Sequence, residues 1–311
     1  MHFDWSPIGN EDWRALLMRC PRANILQSWP HAVAARMHDQ MMTRRARIFD
    51  DGGEAGIMQI QEVRIGPVHV LRLHRGPLWF GGEAEAERWR RFFAAFNSCF
   101  PRRIGRWRHI LPEMDAGQGA HELLTQAGFR QRNSEPYRTI LLDLSLPTDE
   151  IRGKLKGKWR NALNQAERAG LEAECDMAGL TAKRFLDGYD ADKGARGYRG
   201  ARPARLATMI ASAAPAGDAL ILNARQNGET IAAMLFFSHG PAATYQAGWT
   251  SEAGRAARAH HLLLWRAICH LQGQGTSTLD LGGVHPRMAE GVTRFKDGLG
   301  GTPLTLPGIY G

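Results

Sequence analysis

The chain has 311 residues, 43% of them apolar, with 40 basic against 31 acidic side chains and a net charge of +9. That composition excludes a disordered chain, the length exceeds one ordinary domain core, and no apolar run nears the roughly eighteen residues needed to cross a bilayer. Cys20, Cys99, Cys175 and Cys269 stand far apart with no C-x-x-C pair, which argues against a zinc ribbon or a disulfide framework. The first residues lack the charged start and apolar core of a signal peptide, so a soluble cytoplasmic protein is expected. The positive charge suits an anionic partner such as nucleic acid, phosphate esters or a membrane surface, and it is spread over both halves, so local patches must carry any recognition.

In chain order, residues 45–49 read as a strand, 50–53 as a turn, and 56–63 and 67–74 as two more strands. Acidic residues from Glu83 to Glu87 open an amphipathic helix to about residue 99, and 106–111 read as another strand. Pro147, a capping Thr148, Asp149 and Glu150 mark a helix start, and the join between two domains, 1–145 and 146–311, is placed there. Ile151, Leu155, Trp159, Ala162, Leu163 and Ala166 then share one helical face, predicting a single helix through Gly153 and Gly157. Residues 193–205, basic, glycine-rich and free of acid, read as a loop. Residues 219–226 read as a strand, Asn227-Gly228 as a hairpin turn, 230–237 and 243–249 as two further strands, 257–272 as a helix and 277–281 as a closing strand. The order strand, turn, strand, strand, helix, strand occurs in both halves. It points to two tandem α/β domains of one type.

Lysine usage singles out one position. The chain has six lysines against thirty-four arginines, so a generic positive charge is nearly always arginine. Lys296 follows Asp280-Leu-Gly-Gly283, Arg294 and Phe295 and precedes Gly298, Gly300 and Gly301, an arrangement that lets a ligand approach the backbone. An ammonium there can stabilise an oxyanion or hold one phosphate oxygen; the bland alternative is a strand-end lysine whose stem covers apolar surface. Asp280 reads as a base or an orienting group. Gly282 and Gly283 make room for substrate, and Trp249, Arg294 and Phe295 are candidate substrate contacts. Three of the six lysines, Lys154, Lys156 and Lys158, stand between Arg152 and Arg160 without an acid. Cations in the early turns of a helix oppose its dipole, so Lys154, Lys158 and Arg160 are candidates for a phosphate-rich ligand. Arg102, Arg103, Arg106 and Arg108 form a second basic cluster. His260, His261, His270 and His285 lack metal-ligand spacing, and neither a G-x-S-x-G elbow nor a phosphate-loop or dinucleotide fingerprint is present. Direct transfer from an activated donor is the simplest chemistry left, with no cofactor or metal.

These residues resemble the Fem-type aminoacyltransferases, which are two tandem acetyltransferase-like (GNAT) domains. The resemblance covers nearly the whole chain: Gln27-Ser-Trp29, Arg75-Gly-Pro77, Leu123 with Ala127-Gly-Phe129, Lys158-Trp-Arg-Asn161 leading to Glu167-Arg-Ala-Gly170, and above all Asp280-Leu-Gly-Gly283 with Gly291-Val292 and Phe295-Lys296. It implies an α/β fold of two GNAT-like domains, each a mixed, mainly antiparallel sheet flanked by helices. It also implies transfer of an amino acid from aminoacyl-tRNA to an amine-bearing phosphorylated acceptor, typically a muramyl peptide of peptidoglycan synthesis. By the same resemblance Lys296 faces the reacting groups and Arg36 stands where relatives place a basic residue on the acceptor's phosphates. Two departures stand out. Leu78-Trp79 follows Arg75-Gly-Pro77 without the acid of some peptidoglycan-directed relatives, and the helical arm of some members has no counterpart. The rival expectation is an N-acyltransferase using coenzyme A or an acyl carrier protein. The stretch matching its pyrophosphate loop, Arg255-Ala-Ala-Arg-Ala-His260, contains no glycine and would cradle a diphosphate poorly. A non-catalytic RNA-binding protein on the same scaffold is the third expectation.

Overall fold

A computed structural model of the chain describes every residue except 133–134, 199 and 285–289, so His285 lies outside the described residues. The chain gathers into two compact units, Met1–Arg138 with His239–Pro241 and Leu304–Gly311, and Thr139–Ser238 with Ala242–Pro303. Leu304–Gly311 therefore packs with the first unit, whereas a division at 145/146 by chain position assigns it to the second.

The first unit opens with β1 (His2–Asp4), α1 (Asn10–Met18) and α2 (Trp29–Asp39). There follow β2 (Met42–Asp50), β3 (Gly53–Ile65), β4 (Val68–His74), β5 (Leu78–Trp79), α3 (Ala86–Cys99), β6 (Arg106–Leu111) and α4 (Gln118–Gln126). Its sheet runs β1-β2-β3-β4-β6, antiparallel up to β4 and parallel between β4 and β6, with β5 on β3. Trp89, Phe92, Phe93 and Phe96 recur at three- and four-residue steps on α3 and are all buried, in one core with Phe129 and Tyr310. Burying each such ring is worth about 1.5–3 kcal/mol, which holds the helix more firmly than its intrinsic propensity.

Polar side chains seal the end of the β4–β6 pair. The strands pair from His69↔Arg106 to His74↔Leu111, and the Arg75 N–H then donates to the Leu111 carbonyl at 2.7 Å. The Arg75 guanidinium donates twice to Glu113, at 2.7 and 3.0 Å, and both side chains are buried. The Gln27 amide nitrogen donates to the carbonyls of His74 (2.8 Å) and Gln59 (3.1 Å), its oxygen accepts from the Gln59 N–H (2.6 Å), and Asn24 donates to the Arg75 carbonyl (2.8 Å). Charges buried in this way persist because both partners are paired and hydrogen-bonded.

The second unit is built from β7 (Arg138–Asp143), α5 (Thr148–Lys154), α6 (Gly157–Arg168), β8 (Glu172–Asp176), α7 (Ala182–Arg196) and α8 (Pro203–Ala213). These lead into β9 (Ala219–Gln226), β10 (Glu229–His239), β11 (Ala242–Thr250), α9 (Glu252–Ala256), α10 (Ala259–Gly273), β12 (Thr278–Asp280), α11 (Glu290–Asp297) and β13 (Thr302–Thr305). The sheet order is β13-β7-β12-β11-β10-β9-β8. The succession β9, β10, β11, α10, β12 repeats β2, β3, β4, α3, β6, and in both the strand after the helix lies parallel to the strand before it. The expected tandem α/β architecture, mixed sheets flanked by helices, is the fold.

Several local expectations change. The single helix from residue 148 is two, α5 and α6, because Leu155 leaves the helical conformation with a ψ of 130°. Ile151, Leu155, Trp159 and Leu163 are nonetheless all buried, so the apolar stripe continues through the break. Thr148 does not cap α5; its hydroxyl donates to Gln272 instead. The basic 193–205 loop is mostly helical, its first residues ending α7 and Pro203 opening α8. The helix expected over 257–272 is preceded by α9, with Arg258 in the left-handed region between the two. Finally, Lys296 lies on α11 and not at a strand end.

Candidate active site

Strands β11 and β12 pair in parallel for only three positions, Ala242↔Thr278, Ala243↔Leu279 and Thr244↔Asp280. Beyond them β11 runs on to Thr250 while the chain after β12 turns away at Gly282, where φ is 71°. A side chain at Gly282 would put its Cβ 2.8 Å from the Tyr245 carbonyl oxygen, so glycine is required both by the backbone angle and by the close approach. Buried Asp280 anchors this turn. It accepts hydrogen bonds from the Thr139 hydroxyl and from the Gly282 N–H, the latter at 2.8 Å.

The Lys296 side chain enters the split from α11 and is only 4% exposed. Its ammonium donates to the carbonyls of Gly282 (3.1 Å) and Gly283 (2.9 Å) and stands 5.9 Å from the Tyr245 ring centroid. An ammonium has three donors, so among the described residues one N–H remains for a ligand. Burial pulls its pKa down to about 8, against the opposing pull of the Asp280 carboxylate. The turn fixed by Asp280 thus holds a partly desolvated cation where two parallel strands part, and such a group can meet negative charge developing on a reacting oxygen.

Phe295, the residue before Lys296, and Tyr245 lead from that cation into two groups of aromatic and polar side chains. Phe295 packs with Trp159 (5.9 Å between ring centroids), His261 (5.0 Å) and His260 (6.3 Å), and His260 Nε2–H donates to the Trp249 carbonyl at 2.9 Å. Burial lowers the pKa of His260, and that of His261 to about 4, keeping both imidazoles neutral near pH 7. The Trp249 indole lies where a Cβ at Gly188 would stand, 2.3 Å from it, which brings α7 against the end of β11. From α7 come Tyr189, Asp192 and Arg196. Asp192 binds Arg196 at 2.9 Å and accepts from the Tyr198 hydroxyl at 3.4 Å, while burial and then the Tyr189 and Asp192 charges push the Tyr245 phenol pKa up.

Of the residues singled out in the sequence, Asp280, Gly282, Gly283, Phe295 and Lys296 come together here. The glycines after Lys296 do not form a ligand cradle. Cβ atoms at Gly298, Gly300 and Gly301 would meet Trp159 (2.6 Å), the Lys154 carbonyl (2.4 Å) and the Leu141 carbonyl (2.6 Å), so these glycines allow tight internal packing. The basic run is also largely neutralised. Arg152 pairs with Glu167 (2.7 Å), Lys154 with Glu150 (3.2 Å) and Lys156 with Asp297, and Arg160 donates to the Leu155 carbonyl (3.1 Å). Arg152 and Lys154 end α5, where cations complement the helix dipole and do not oppose it. Lys158 is exposed and makes no ion pair with a described residue. Arg294 is exposed and paired with Glu290 on its own helix, and Arg36 is exposed on the last turn of α2 in the first unit.

Sequence reasoning missed Tyr189, Asp192, Arg196 and Tyr245. Tyr189, Asp192 and Arg196 stand three and four residues apart, the spacing of one helical face, and that was the available signal.

Residues 152–297 match the model of the acetyltransferase (GNAT) domain family. No curated protein matches the sequence significantly. Among solved structures, FemX is similar with a TM-score of 0.83 and 15% identity, over 100% of this chain and 96% of that one. The C-terminal domain (DUF2156) of a putative lysylphosphatidylglycerol synthetase from Agrobacterium fabrum is similar with a TM-score of 0.58 and 16% identity, over 96% of this chain and 89% of that one. L-PGS from Bacillus licheniformis gives 0.52 and 12%, over 98% and 93%. At these identities the likeness is one of fold.

Proposed function

We propose that this chain, an acyltransferase with the tandem GNAT fold of the Fem type, moves an amino acid from aminoacyl-tRNA to the amine of a cell-envelope acceptor such as a muramyl peptide. The acyltransferase class rests on the GNAT domain matched over residues 152–297 and on the fold. The observation that carries the donor is a buried Lys296 in the strand split together with a glycine-free 255–260 segment most of whose amides are engaged locally. In the segment that would bind pyrophosphate, the N–H groups of Arg255, Ala257 and Arg258 donate to Ser251, Ala253 and Arg255 carbonyls, and that of Gly254 to the Ser251 hydroxyl. These four are engaged within the segment, and among the described residues the Ala259 and His260 amides that open α10 are left for an anion, fewer donors than a glycine-rich diphosphate loop offers coenzyme A. One fold neighbour is named for making lysylphosphatidylglycerol, an aminoacylated lipid, which supports an aminoacyl donor and an envelope acceptor.

In the proposed reaction a neutral amine attacks the ester carbonyl carbon of the aminoacyl group. The carbonyl π electrons move to oxygen, and the resulting oxyanion accepts the free N–H of Lys296. Collapse re-forms the carbonyl, breaks the ester C–O bond and expels the ribose oxygen of the terminal nucleotide, which takes up the proton lost by the amine, relayed through water. Asp280 is engaged by Thr139 and Gly282 and so orients the turn. The phenol of Tyr245 stays protonated near neutral pH and can donate a hydrogen bond.

The test is transfer of label from a pool of radiolabelled aminoacyl-tRNAs, and separately from acyl-CoAs, to amine acceptors by wild type and Lys296→Ala. Label leaving tRNA in the wild type, with at least a tenfold loss in the variant, supports the reading. Turnover with acyl-CoA alone moves the chain to the N-acyltransferase class, and RNA binding without transfer from either donor leaves a non-catalytic scaffold.

A further inference from the structure

One end of the first unit carries a surface that the strand split does not use. The tip of the β3–β4 hairpin presents Arg64 and Ile65, and the loop entering β6 presents Arg102, Arg103 and Ile104. The two tips are adjacent: the Gly105 carbonyl accepts the His69 N–H at 2.7 Å, and a Cβ at Gly105 would stand 2.6 Å from the Pro67 carbonyl. Ile104 is fully exposed, Ile65 is 69% exposed and Trp107, the second residue of β6, is 56% exposed. Arg106 feels the charges of both Arg103 and Arg64. The nearby acid, Glu62, is already paired with His69 at 2.7 Å.

Exposed aliphatic side chains on two neighbouring loop tips are costly in water and gain nothing from folding. Four arginines around them seek an anion, and each guanidinium has five donors to share between protein carbonyls and phosphate oxygens. A single-stranded nucleic acid would be met by flat rings that stack on bases. The most exposed apolar groups here are two β-branched isoleucines, more exposed than the one flat ring, Trp107; they have no face to stack on a base and gain by entering an apolar phase.

We propose that this tip docks the protein on an anionic membrane surface. Ile65 and Ile104 insert at the boundary of headgroups and acyl chains, Trp107 lies at headgroup level, and Arg64, Arg102, Arg103 and Arg106 meet lipid phosphates. The docking is independent of the donor used by the second unit. It would hold the enzyme at the surface where envelope precursors and lipids are found.

The experiment is flotation of the full chain with vesicles of phosphatidylglycerol and phosphatidylcholine, and with phosphatidylcholine alone. R102E/R103E, I65S/I104S and wild type are compared after their thermal midpoints are matched. The wild type is expected to float with the anionic vesicles only. R102E/R103E should bind about tenfold or more weakly, and I65S/I104S should lose the part of the binding that survives at high salt, where the charge attraction is screened. Failure of the wild type to float with anionic vesicles at low salt overturns the proposal, as does equal binding by all three proteins. Loss of tRNA binding by R102E/R103E with vesicle binding retained overturns it in favour of an RNA contact.

Discussion

The two units share a parallel strand pair after the same succession of strands and helix, yet they finish it differently. In the first, β4 and β6 stay paired through six positions, and the end is filled by the Arg75–Glu113 ion pair, Gln27 and Asn24. In the second, β11 and β12 separate after three, and the opening holds Gly282 and the ammonium of Lys296. Both ends bury charge. In the first the cation has a carboxylate partner; in the second its hydrogen-bond partners among the described residues are two carbonyls, which leaves one of its three N–H groups over. The difference supports the proposal that the chemistry lies in the second unit, and it gives Gln27 and Arg75, two motifs of the family resemblance, the task of closing the first.

That contrast can be broken most forcefully from the closed side. Glu113→Ala removes the carboxylate that accepts two hydrogen bonds from the buried Arg75 guanidinium and is expected to cost about 3–5 kcal/mol in denaturant unfolding. Arg75→Met with Glu113→Leu should restore most of the loss, because the buried guanidinium leaves with its carboxylate while Arg22, also 3.6 Å from Glu113, keeps Asp115 at 2.8 Å; if the single variant is nearly neutral, the pair is not what seals the unit.

Lys296 tests the open side. Its pKa of about 8 in the folded protein lies below the ordinary 10.5. Between these values the unfolded chain binds more protons, so stability should rise with pH across about 8 to 10.5, by up to about 3 kcal/mol. The rise should vanish in Lys296→Met. That variant should lose transfer by about 100-fold or more, the scale of one oxyanion donor, without a lower thermal midpoint at pH 7. Transfer that survives would place the chemistry elsewhere.

Smaller effects sharpen the picture. Gly282→Ala forces a side chain into the left-handed region and against the Tyr245 carbonyl, at a cost of about 1–3 kcal/mol, with a parallel loss of transfer. Gly81→Ala in the first unit meets nothing within 4 Å and serves as the neutral control. Last, Lys158→Ala should weaken tRNA binding a few-fold and reduce the salt slope by about one unit, measured by filter binding; an unchanged slope would remove Lys158 from the donor's path.

Much of this was legible in the sequence. The strand 219–226 and the Asn227-Gly228 turn follow from alternation and from a dipeptide that favours positive φ, and the structure has both there. The repeated order of elements was visible for the same reason, each strand being bounded by a turn. The α5–α6 break was not, because Ile151, Leu155, Trp159 and Leu163 keep helical spacing across it and burial follows the spacing whether or not the backbone does. In the site, scarcity of lysine pointed to Lys296. Its helical setting was hidden by Gly298, Gly300 and Gly301, whose purpose is fixed by side chains and carbonyls over a hundred residues earlier in the chain. Arg196 was masked for a plainer reason: it falls in the glycine-rich stretch 193–205, whose composition suggested a loop, although its first residues end α7.

The return of Leu304–Gly311 to the first unit sets an order of assembly during synthesis. Tyr310 bridges Ile110 and Gln131 and is 1% exposed in the first core, with its hydroxyl 2.8 Å from His121. Domains ordinarily fold as they emerge from the ribosome. Here the earlier half must wait with a gap in its core until residues 304–311 have been made, by which time the strands and helices of the later unit have already been translated.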